Sequence, residues 1–407
     1  MKISISKYIG PGPLVAAAFI GPGTVTVCTL AGVNFGYDLI WALILSILAT
    51  LVLQEMASRI GLVAGEGLAS LISVTLKTGL KKYFSMTLIL LAIVLGNAAY
   101  EAGNISGGAM GLELFKSLPP LELGYLQINL INVLIGLSSW LLLMSGSYKR
   151  LTQALTFLVI LMSLAFLVNA AIVRPAFFEL WSGLYPSVSS VNVLQIVALI
   201  GTTVVPYNLF LHSSLVSKKW QSVKDIKYVR ADTAISVILG GAVSIAILIT
   251  AAGSGVKEVS SAVELAVGLE PLLGSVSKYF IGFGLFAAGI SSAITAPLAG
   301  ALVVAGMFGK STDLSSSWMK WSISGILGLG LLFSSFGIKP VQLINVAQIA
   351  NGILLPLLSA YIIWLANKSE IMKNHQNKLP LNLLALFVWL ITLCLGVISI
   401  AKVLNLI

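Results

Sequence analysis

The sequence predicts an all-α polytopic membrane protein in which two five-helix repeats of inverted topology are followed by one additional helix. Hydrophobic residues make up 58% of the 407 residues, charged residues make up only 9%, and the mean hydropathy is +1.01. A soluble domain of this length carries far more charge. Two long apolar segments are interrupted by glycine or proline, at 21–23 and at 206, and these interruptions predict the repeat.

Apolar segments recur along the chain, separated by short stretches that are charged or rich in proline and glycine. Each segment is long enough to cross about 30 Å of hydrocarbon as a helix. We predict about eleven spans, of which the first and the sixth are broken at the membrane midplane. Their ranges are 8–32, 37–64, 84–114, 126–146, 151–173, 191–215, 232–253, 277–308, 318–335, 341–366 and 381–403.

The order of the spans sets the domain organisation. The two interrupted spans each open a run of five, and because five is odd the second run starts from the opposite side of the membrane. We therefore predict a first repeat at 1–188, a second, inverted repeat at 189–370, and an eleventh helix within 371–407. In such folds the substrate binds where the two broken helices meet.

The net charge of +10 does not indicate nucleic acid as a partner, because the basic residues alternate between the two sides of the membrane. Most of the 24 Lys and Arg residues fall on the side of the N-terminus, which we therefore expect in the cytoplasm. We expect a monomer in a bacterial inner membrane, with the lipid bilayer, a small-molecule substrate and protons as its partners. Cys28 and Cys394 lie inside predicted spans and indicate packing residues, and no cofactor is expected.

The first interruption, Gly21-Pro22-Gly23, favours unwound backbone. Pro22 has no N–H group to donate, and the glycines are conformationally permissive. Unpaired backbone groups survive inside a bilayer only where they line a cavity or meet a ligand. A plain helix kink is the alternative, and the matching interruption at Pro206 argues against it.

Four segments resemble the natural resistance-associated macrophage protein (Nramp) family. They are IGPGPLVAAAFIGPGTV from Ile9, WALILSILATLVLQEMASRIGLVAGEGLA from Trp41, GTTVVPYNLFLHSSLV from Gly201 and NVAQIANGILLP from Asn345. The resemblance implies a LeuT-like fold and the import of divalent metals together with protons.

The sequence departs from the family at the metal ligands. The family's Asp-Pro-Gly-Asn is replaced by the residues 21–24, which read Gly-Pro-Gly-Thr, and its Met-Pro-His-Asn by the residues 205–208, which read Val-Pro-Tyr-Asn. The carboxylate, the carboxamide and the thioether of the family's site are thus replaced. Because a transition metal ion needs several such ligands, we expect no metal ligands here and neither manganese nor iron as substrate.

The lost carboxylate also changes the expected electrostatics. The helical half that begins near Thr24 directs the positive end of its dipole into the gap, where nothing would cancel it. We therefore expect proton-coupled uptake of a small organic anion, such as an indole- or aryl-acetate, although Tyr207 could simply fill space. The predicted substrate-binding residues are Phe19, Gly21, Gly23, Thr24, Val205, Tyr207, Asn208, Gln348 and Asn351.

Ionisable side chains inside the spans are candidates for proton coupling, because their burial is costly. We assign this role to Glu101 and His212, whose positions match the family; structural roles are the alternative for both. Glu55 and Arg59 are one helical turn apart, which predicts an ion pair, and we assign this pair the role of a gate or scaffold. Asn104 is assigned the same role.

Two further functions remain open at this point. One is a transporter of a divalent cation of the magnesium type, whose water shell rather than side chains contacts the ion. The other is a sensor that transports nothing. An enzyme is not expected, because the sequence has no Cys/His cluster, no phosphate-binding Gly-Lys-Ser/Thr loop and no nucleophile–base pair at a recognisable spacing.

Overall fold

A computed structural model describes residues 10–12, 15, 20–76, 79–145, 149–259, 261–267 and 270–404. Helices dominate these residues, as the apolar composition predicts. In the first half of the chain the helices are α1 (Pro22–Phe35), α2 (Ile40–Ala64), α3 (Leu68–Thr75), α4 (Leu80–Glu113), α5 (Leu130–Ser145), α6 (Lys149–Val173) and α7 (Phe177–Ser182).

The second half is also helical. Its helices are α8 (Val193–Thr203), α9 (Pro206–Lys219), α10 (Ile226–Ala252), α11 (Ala262–Val267), α12 (Glu270–Leu273), α13 (Ser277–Met307), α14 (Ser317–Phe333), α15 (Pro340–Ala366), α16 (Ser369–Met372) and α17 (Leu379–Val403). Short 3₁₀ turns occupy Val223–Asp225, Gly274–Val276 and Lys373–His375.

One antiparallel hairpin precedes α5. It consists of β1 (Leu121–Leu123) and β2 (Leu126–Ile128), joined by a two-residue turn. Gly124 has a φ of 64° in this turn, as the tight turn of a hairpin requires. The Gln127 N–H donates to the Ser335 carbonyl at 2.8 Å, which ties the hairpin to the end of α14.

Seven helical segments of the described residues are long and apolar enough to span a membrane, and one of them, Val193–Lys219, comprises α8, α9 and the two residues between them. They are Ile40–Ala64, Lys82–Glu113, Val193–Lys219, Val223–Ala252, Gly274–Met307, Pro340–Ala366 and Leu379–Lys402. Leu130–Ser145, which is α5, and Val159–Val173, which is part of α6, are shorter apolar stretches. Part of the predicted first span lies outside the described residues, so eleven spans stay a prediction, as do the boundaries of the repeats.

Glycine residues let pairs of helices in the core approach each other closely. A Cβ added to Gly289 of α13 would lie 2.5 Å from the Gly108 Cα of α4, and one added to Gly201 of α8 would lie 1.9 Å from the Gln348 carbonyl oxygen of α15. Both distances are too short for a methyl group, so these two crossings depend on glycine. The close packing holds α4, α8, α13 and α15 around the two helix interruptions.

Candidate functional site

The first interruption precedes α1. Gly21 is extended, with φ of −97° and ψ of −179°, and Pro22 is the first helical residue. The Val25 N–H donates to the Gly21 carbonyl at 3.2 Å, which closes the first turn. Pro22 suits this position because the first N–H groups of a helix have no intrahelical acceptor. The positive end of α1 therefore lies at Gly21, three residues before the predicted start near Thr24.

The second interruption separates α8 from α9. Helix α8 ends at Thr203, Val204 and Val205 leave helical geometry, and α9 restarts at Pro206. The Val204 N–H still donates to the Ile200 carbonyl at 2.8 Å, and the Asn208 N–H donates to the Val205 carbonyl at 3.1 Å. The carbonyl groups of the last turn of α8 form the negative end of a helix dipole next to the positive end of α9.

Three helices meet at the start of α1. The hydroxyl oxygens of Thr24 and Thr202 lie 3.1 Å apart, which joins α1 to α8. Gly23 faces α15, because a Cβ there would lie 2.3 Å from the amide nitrogen of Gln348. The structure thus brings Gly23, Thr24 and Gln348 of the predicted substrate-binding residues together, with Thr202 as an additional member.

A side chain from α13 occupies part of the space beside Gly21. A Cβ added there would lie 2.9 Å from the Ser292 hydroxyl oxygen on α13. The place that a side chain at position 21 would take is therefore partly occupied by the Ser292 hydroxyl group of α13. A sequence pattern gives no information about which distant residue approaches a glycine, and this is why Ser292 was missed.

Several buried polar atoms near the interruptions have no hydrogen bond to another described residue. They include both side-chain polar atoms of Asn208, the Ser292 hydroxyl and the Asn351 amide nitrogen. Asn208, Ser292 and Asn351 are at most 2% exposed. Buried polar groups are nearly always satisfied, so unsatisfied ones indicate a ligand or water. Asn351 lies towards α4, where its oxygen would be 4.0 Å from a Cβ at Gly96.

Tyr207 packs against Tyr100 of α4. The two ring centroids are 5.3 Å apart and the ring planes meet at 70°, an edge-to-face arrangement. Both side chains are fully buried, and so is Val205, whose alkyl group offers no ligand atom. Tyr207 therefore makes a defined aromatic contact at the start of α9.

Glu101 is fully buried between α4 and α14. Its Oε2 accepts a hydrogen bond from the Asn104 amide at 3.3 Å, while its Oε1 has no hydrogen bond among the described residues. A Cβ added to Gly330 of α14 would lie 2.6 Å from the Glu101 Cγ. Glu101 is thus the next residue after Tyr100, which packs against Tyr207 at the second interruption. Its carboxyl group itself lies between α4 and α14.

His212 lies on α9, beyond the second interruption. Its Nδ1 lies 2.7 Å from Oε1 of Gln54 on α2, and its Nε2 has no hydrogen bond in the described part of the chain. Both residues are at most 1% exposed. The contact joins α9 to α2 below the interruption, so a proton gained or lost at His212 would act directly on that helix contact.

Glu55 and Arg59 form the ion pair that their spacing predicts, with 3.0 Å between Arg59 Nε and Glu55 Oε1. Arg230 of α10 also binds Glu55, at 2.8 Å. The Arg59 guanidinium further donates to the His375 carbonyl and to the Asn377 side chain. The pair therefore joins α2 to α10 and to the segment before α17, while its role as a gate or scaffold stays a prediction.

A contact missed by the sequence analysis anchors the residues before α1. Asp232 of α10 accepts hydrogen bonds from the Gly10 N–H at 2.9 Å and from the Gly12 N–H at 2.8 Å. The partners are more than 200 residues apart, and no local pattern marks the pair. Phe19, the remaining predicted substrate-binding residue, lies outside the described residues.

A family model named Natural resistance-associated macrophage protein-like matches residues 12–402. The chain belongs to the Nramp family. Two relatives are named divalent metal cation transporter MntH. The protein of Verminephrobacter eiseniae is 26% identical over 396 residues, 93% of this chain and 85% of its own. That of Ralstonia nicotianae is 30% identical over 315 residues, 74% of this chain and 69% of its own.

A solved Nramp-like structure supports the fold. A mutant of the Eremococcus coleocola manganese transporter matches with a TM-score of 0.78 and 22% identity, covering 99% of this chain and 88% of that chain. The expected LeuT-like helical fold is confirmed. The relatives of this Nramp chain are named transporters rather than enzymes.

These relatives also show that the predicted organic-anion substrate is wrong, because their names specify divalent metal cations. The prediction considered only the positive end of α1. It omitted the negative end of α8, whose last carbonyl groups lie at the second interruption and favour a cation. In this Nramp chain the described residues contain no group of three or more His, Cys, Asp or Glu side chains suited to a metal ion.

Proposed function

We propose that this chain is a secondary transporter that moves a divalent metal cation across the membrane with part of its water shell. The main support is the second helix interruption. There the C-terminal end of α8 carries negative partial charge, and Asn208 offers a buried amide with no hydrogen bond among the described residues. Amide, hydroxyl and backbone oxygens are the ligands that hard cations accept.

The retained water follows from the chemistry of the replaced positions. Gly21 brings no carboxylate and Val205 no thioether, so the protein contributes neutral oxygen ligands only. Removing all water from a divalent cation would then cost more than these ligands return. Magnesium gives up its water reluctantly and is bound through few protein ligands, so a magnesium-type cation fits this set best.

Access to the site requires helix movement. Thr24, Asn208 and Gln348 are each at most 2% exposed, so a hydrated ion reaches them only when helices separate. Rocking of one repeat against the other around a central site provides this movement in inverted-repeat transporters. On this proposal the repeats are 1–188 and 189–370, and 371–407 adds the last helix.

Proton coupling belongs to the same proposal. A carboxyl group with the burial of Glu101 is costly to ionise, and one of its oxygens has no hydrogen bond among the described residues. His212 spans α2 and α9 and has one ring nitrogen without a described partner. We infer that these two groups carry protons, in a monomer of a bacterial inner membrane whose N-terminus is cytoplasmic.

The test is cation uptake into proteoliposomes with a magnesium- or manganese-sensitive dye inside. We expect Asn208→Ala to reduce magnesium uptake at least tenfold, because it removes a ligand and leaves the helix interruption intact. Asn132→Ala is the matched control, since Asn132 is also a buried amide whose oxygen has no hydrogen bond among the described residues, and it belongs to α5, which borders neither interruption in the sequence. Equal uptake by the two variants, or no divalent cation uptake by the unmodified protein, would refute the proposal.

A further inference from the structure

A cavity of 560 Å³ opens where the end of α2, the start of α10 and the start of α17 meet. It is separate from the helix interruptions and is not used by the proposed transport site. Its lining combines basic, amide and apolar side chains. They are Arg59, Ile226, Arg230, Asn374, His375, Gln376, Lys378, Pro380 and Leu381.

This cavity, called the basic cavity below, carries more positive than negative charge. Arg59, Arg230 and Lys378 contribute three cations, and Glu55, which both arginines contact, is the carboxylate that faces them. Arg59 is only 2% exposed, whereas the Arg230 side chain is 53% exposed. In the part of the chain that the structure describes, Glu55 is the one carboxylate that pairs with these cations, so the cavity keeps a positive charge that suits an anion.

The described residues do not use all the hydrogen-bond donors of the two arginines. Arg59 directs Nε to both carboxylate oxygens of Glu55 and uses Nη1 and Nη2 once each, and a guanidinium has five N–H groups. Arg230 directs its Nε to Glu55, and its outer N–H groups have no acceptor among the described residues. A phosphate group is the anion that matches such planar, forked donors best, since it can accept two parallel hydrogen bonds from one guanidinium.

The cavity has apolar side chains in its lining and lies at the first turns of two spanning helices. Val223–Ala252 and Leu379–Lys402 are both candidate membrane spans, and the cavity lies at the start of each. Leu379, between the lining residues Lys378 and Pro380 in the sequence, and Leu383, one turn further along α17, are 72% and 58% exposed. An anion bound here therefore has basic groups around its head and exposed leucine side chains beside any acyl chain that it carries.

We propose that the basic cavity binds a phosphate-bearing anion, such as the headgroup of an anionic phospholipid. Basic pockets between membrane helices recognise such headgroups. The bound phosphate would bridge Arg230 of α10 and Lys378 at the start of α17, and so fasten the additional helix to the core. This role is independent of the transported ion, because the cavity shares no lining residue with the helix interruptions.

The experiment compares thermal unfolding of the purified full-length protein in detergent with phosphatidylglycerol, phosphatidylcholine or inorganic phosphate added, and counts bound lipid by native mass spectrometry. The test variant is Arg230→Gln with Lys378→Gln. The control is Lys224→Gln with Lys227→Gln, which removes two exposed charges of the same region outside the cavity. Each basic group near a membrane surface contributes roughly fivefold to anionic lipid binding, so the test variant should bind about 25-fold more weakly.

Stabilisation of the unmodified and control proteins by phosphatidylglycerol, lost in the test variant, supports a lipid headgroup. Stabilisation by inorganic phosphate alone, with the same loss, supports the site and assigns it to a free phosphate. Any lower baseline stability from the broken Arg230–Glu55 pair does not affect the comparison, because the measured quantity is the shift on adding ligand. An equal shift in the test variant, or no shift in the unmodified protein, overturns the proposal.

Discussion

The link between Asp232 and the residues before α1 allows a quantitative prediction. The Asp232 side chain accepts the N–H groups of Gly10 and Gly12 at 2.9 and 2.8 Å, and Asp232 is 4% exposed. Replacing Asp232 by alanine removes both acceptors and leaves two backbone donors without them. We expect this change to release the segment that precedes the first helix interruption.

The magnitude follows from the hydrogen bonds. A hydrogen bond to a charged group contributes about 1.5–3 kcal/mol, so losing two costs about 3 kcal/mol even at the lower value. Each 1.36 kcal/mol corresponds to a factor of ten, so the amides of Gly10 and Gly12 should exchange with solvent roughly a hundredfold faster. Asp232→Asn keeps one acceptor oxygen and should show about half of this loss on the free-energy scale.

The assay is hydrogen–deuterium exchange of peptides that contain Gly10 and Gly12. Asp225→Ala is the control, because Asp225 precedes the same helix and its side chain makes no capping hydrogen bond. The reasoning is refuted if Asp232→Ala exchanges within about twofold of the unmodified protein, since the two bonds would then contribute almost nothing.

Three further changes test the site. Gly201→Ala places a methyl group 1.9 Å from the Gln348 carbonyl and should lower the thermal stability by about 3 kcal/mol or more, as calorimetry would show. Val205→Met adds a thioether at the second interruption and should raise the ratio of manganese to magnesium uptake in proteoliposomes; an unchanged ratio would place residue 205 away from the ion. Glu101→Gln keeps the contact with Asn104 but cannot ionise, so uptake should lose its pH dependence, and a retained pH profile contradicts a proton role.

The helical membrane fold was predictable because it depends on local features of the sequence. Apolar length predicts spanning helices, and Pro206 predicts an interruption where the structure separates α8 from α9. The Glu55–Arg59 pair was predictable for the same reason, since a spacing of four places two side chains on one helix face.

The contacts between distant segments were not predictable. Ser292 fills the space beside Gly21, and Asp232 binds Gly10 and Gly12, but neither relation leaves a periodic signal in the chain. The wrong substrate class has a different origin. The family's carboxylate is absent at position 21, yet the sign of the local field depends on the ends of both α1 and α8, and the prediction considered only the end of α1.

Because the proposed transport site has no fixed carboxylate, we expect it to bind its cation weakly. Helix ends and neutral amides supply partial charges, whereas a carboxylate supplies a full one, so the free energy of binding a divalent cation is smaller at this site. A weak site suits a cation that is abundant and easily released, and it disfavours one that must be captured at trace concentration. Selection then depends on how well the retained water shell fits between Thr24, Asn208 and Gln348. Enlarging the gap at Gln348, rather than adding charge, should therefore relax the discrimination between hydrated cations.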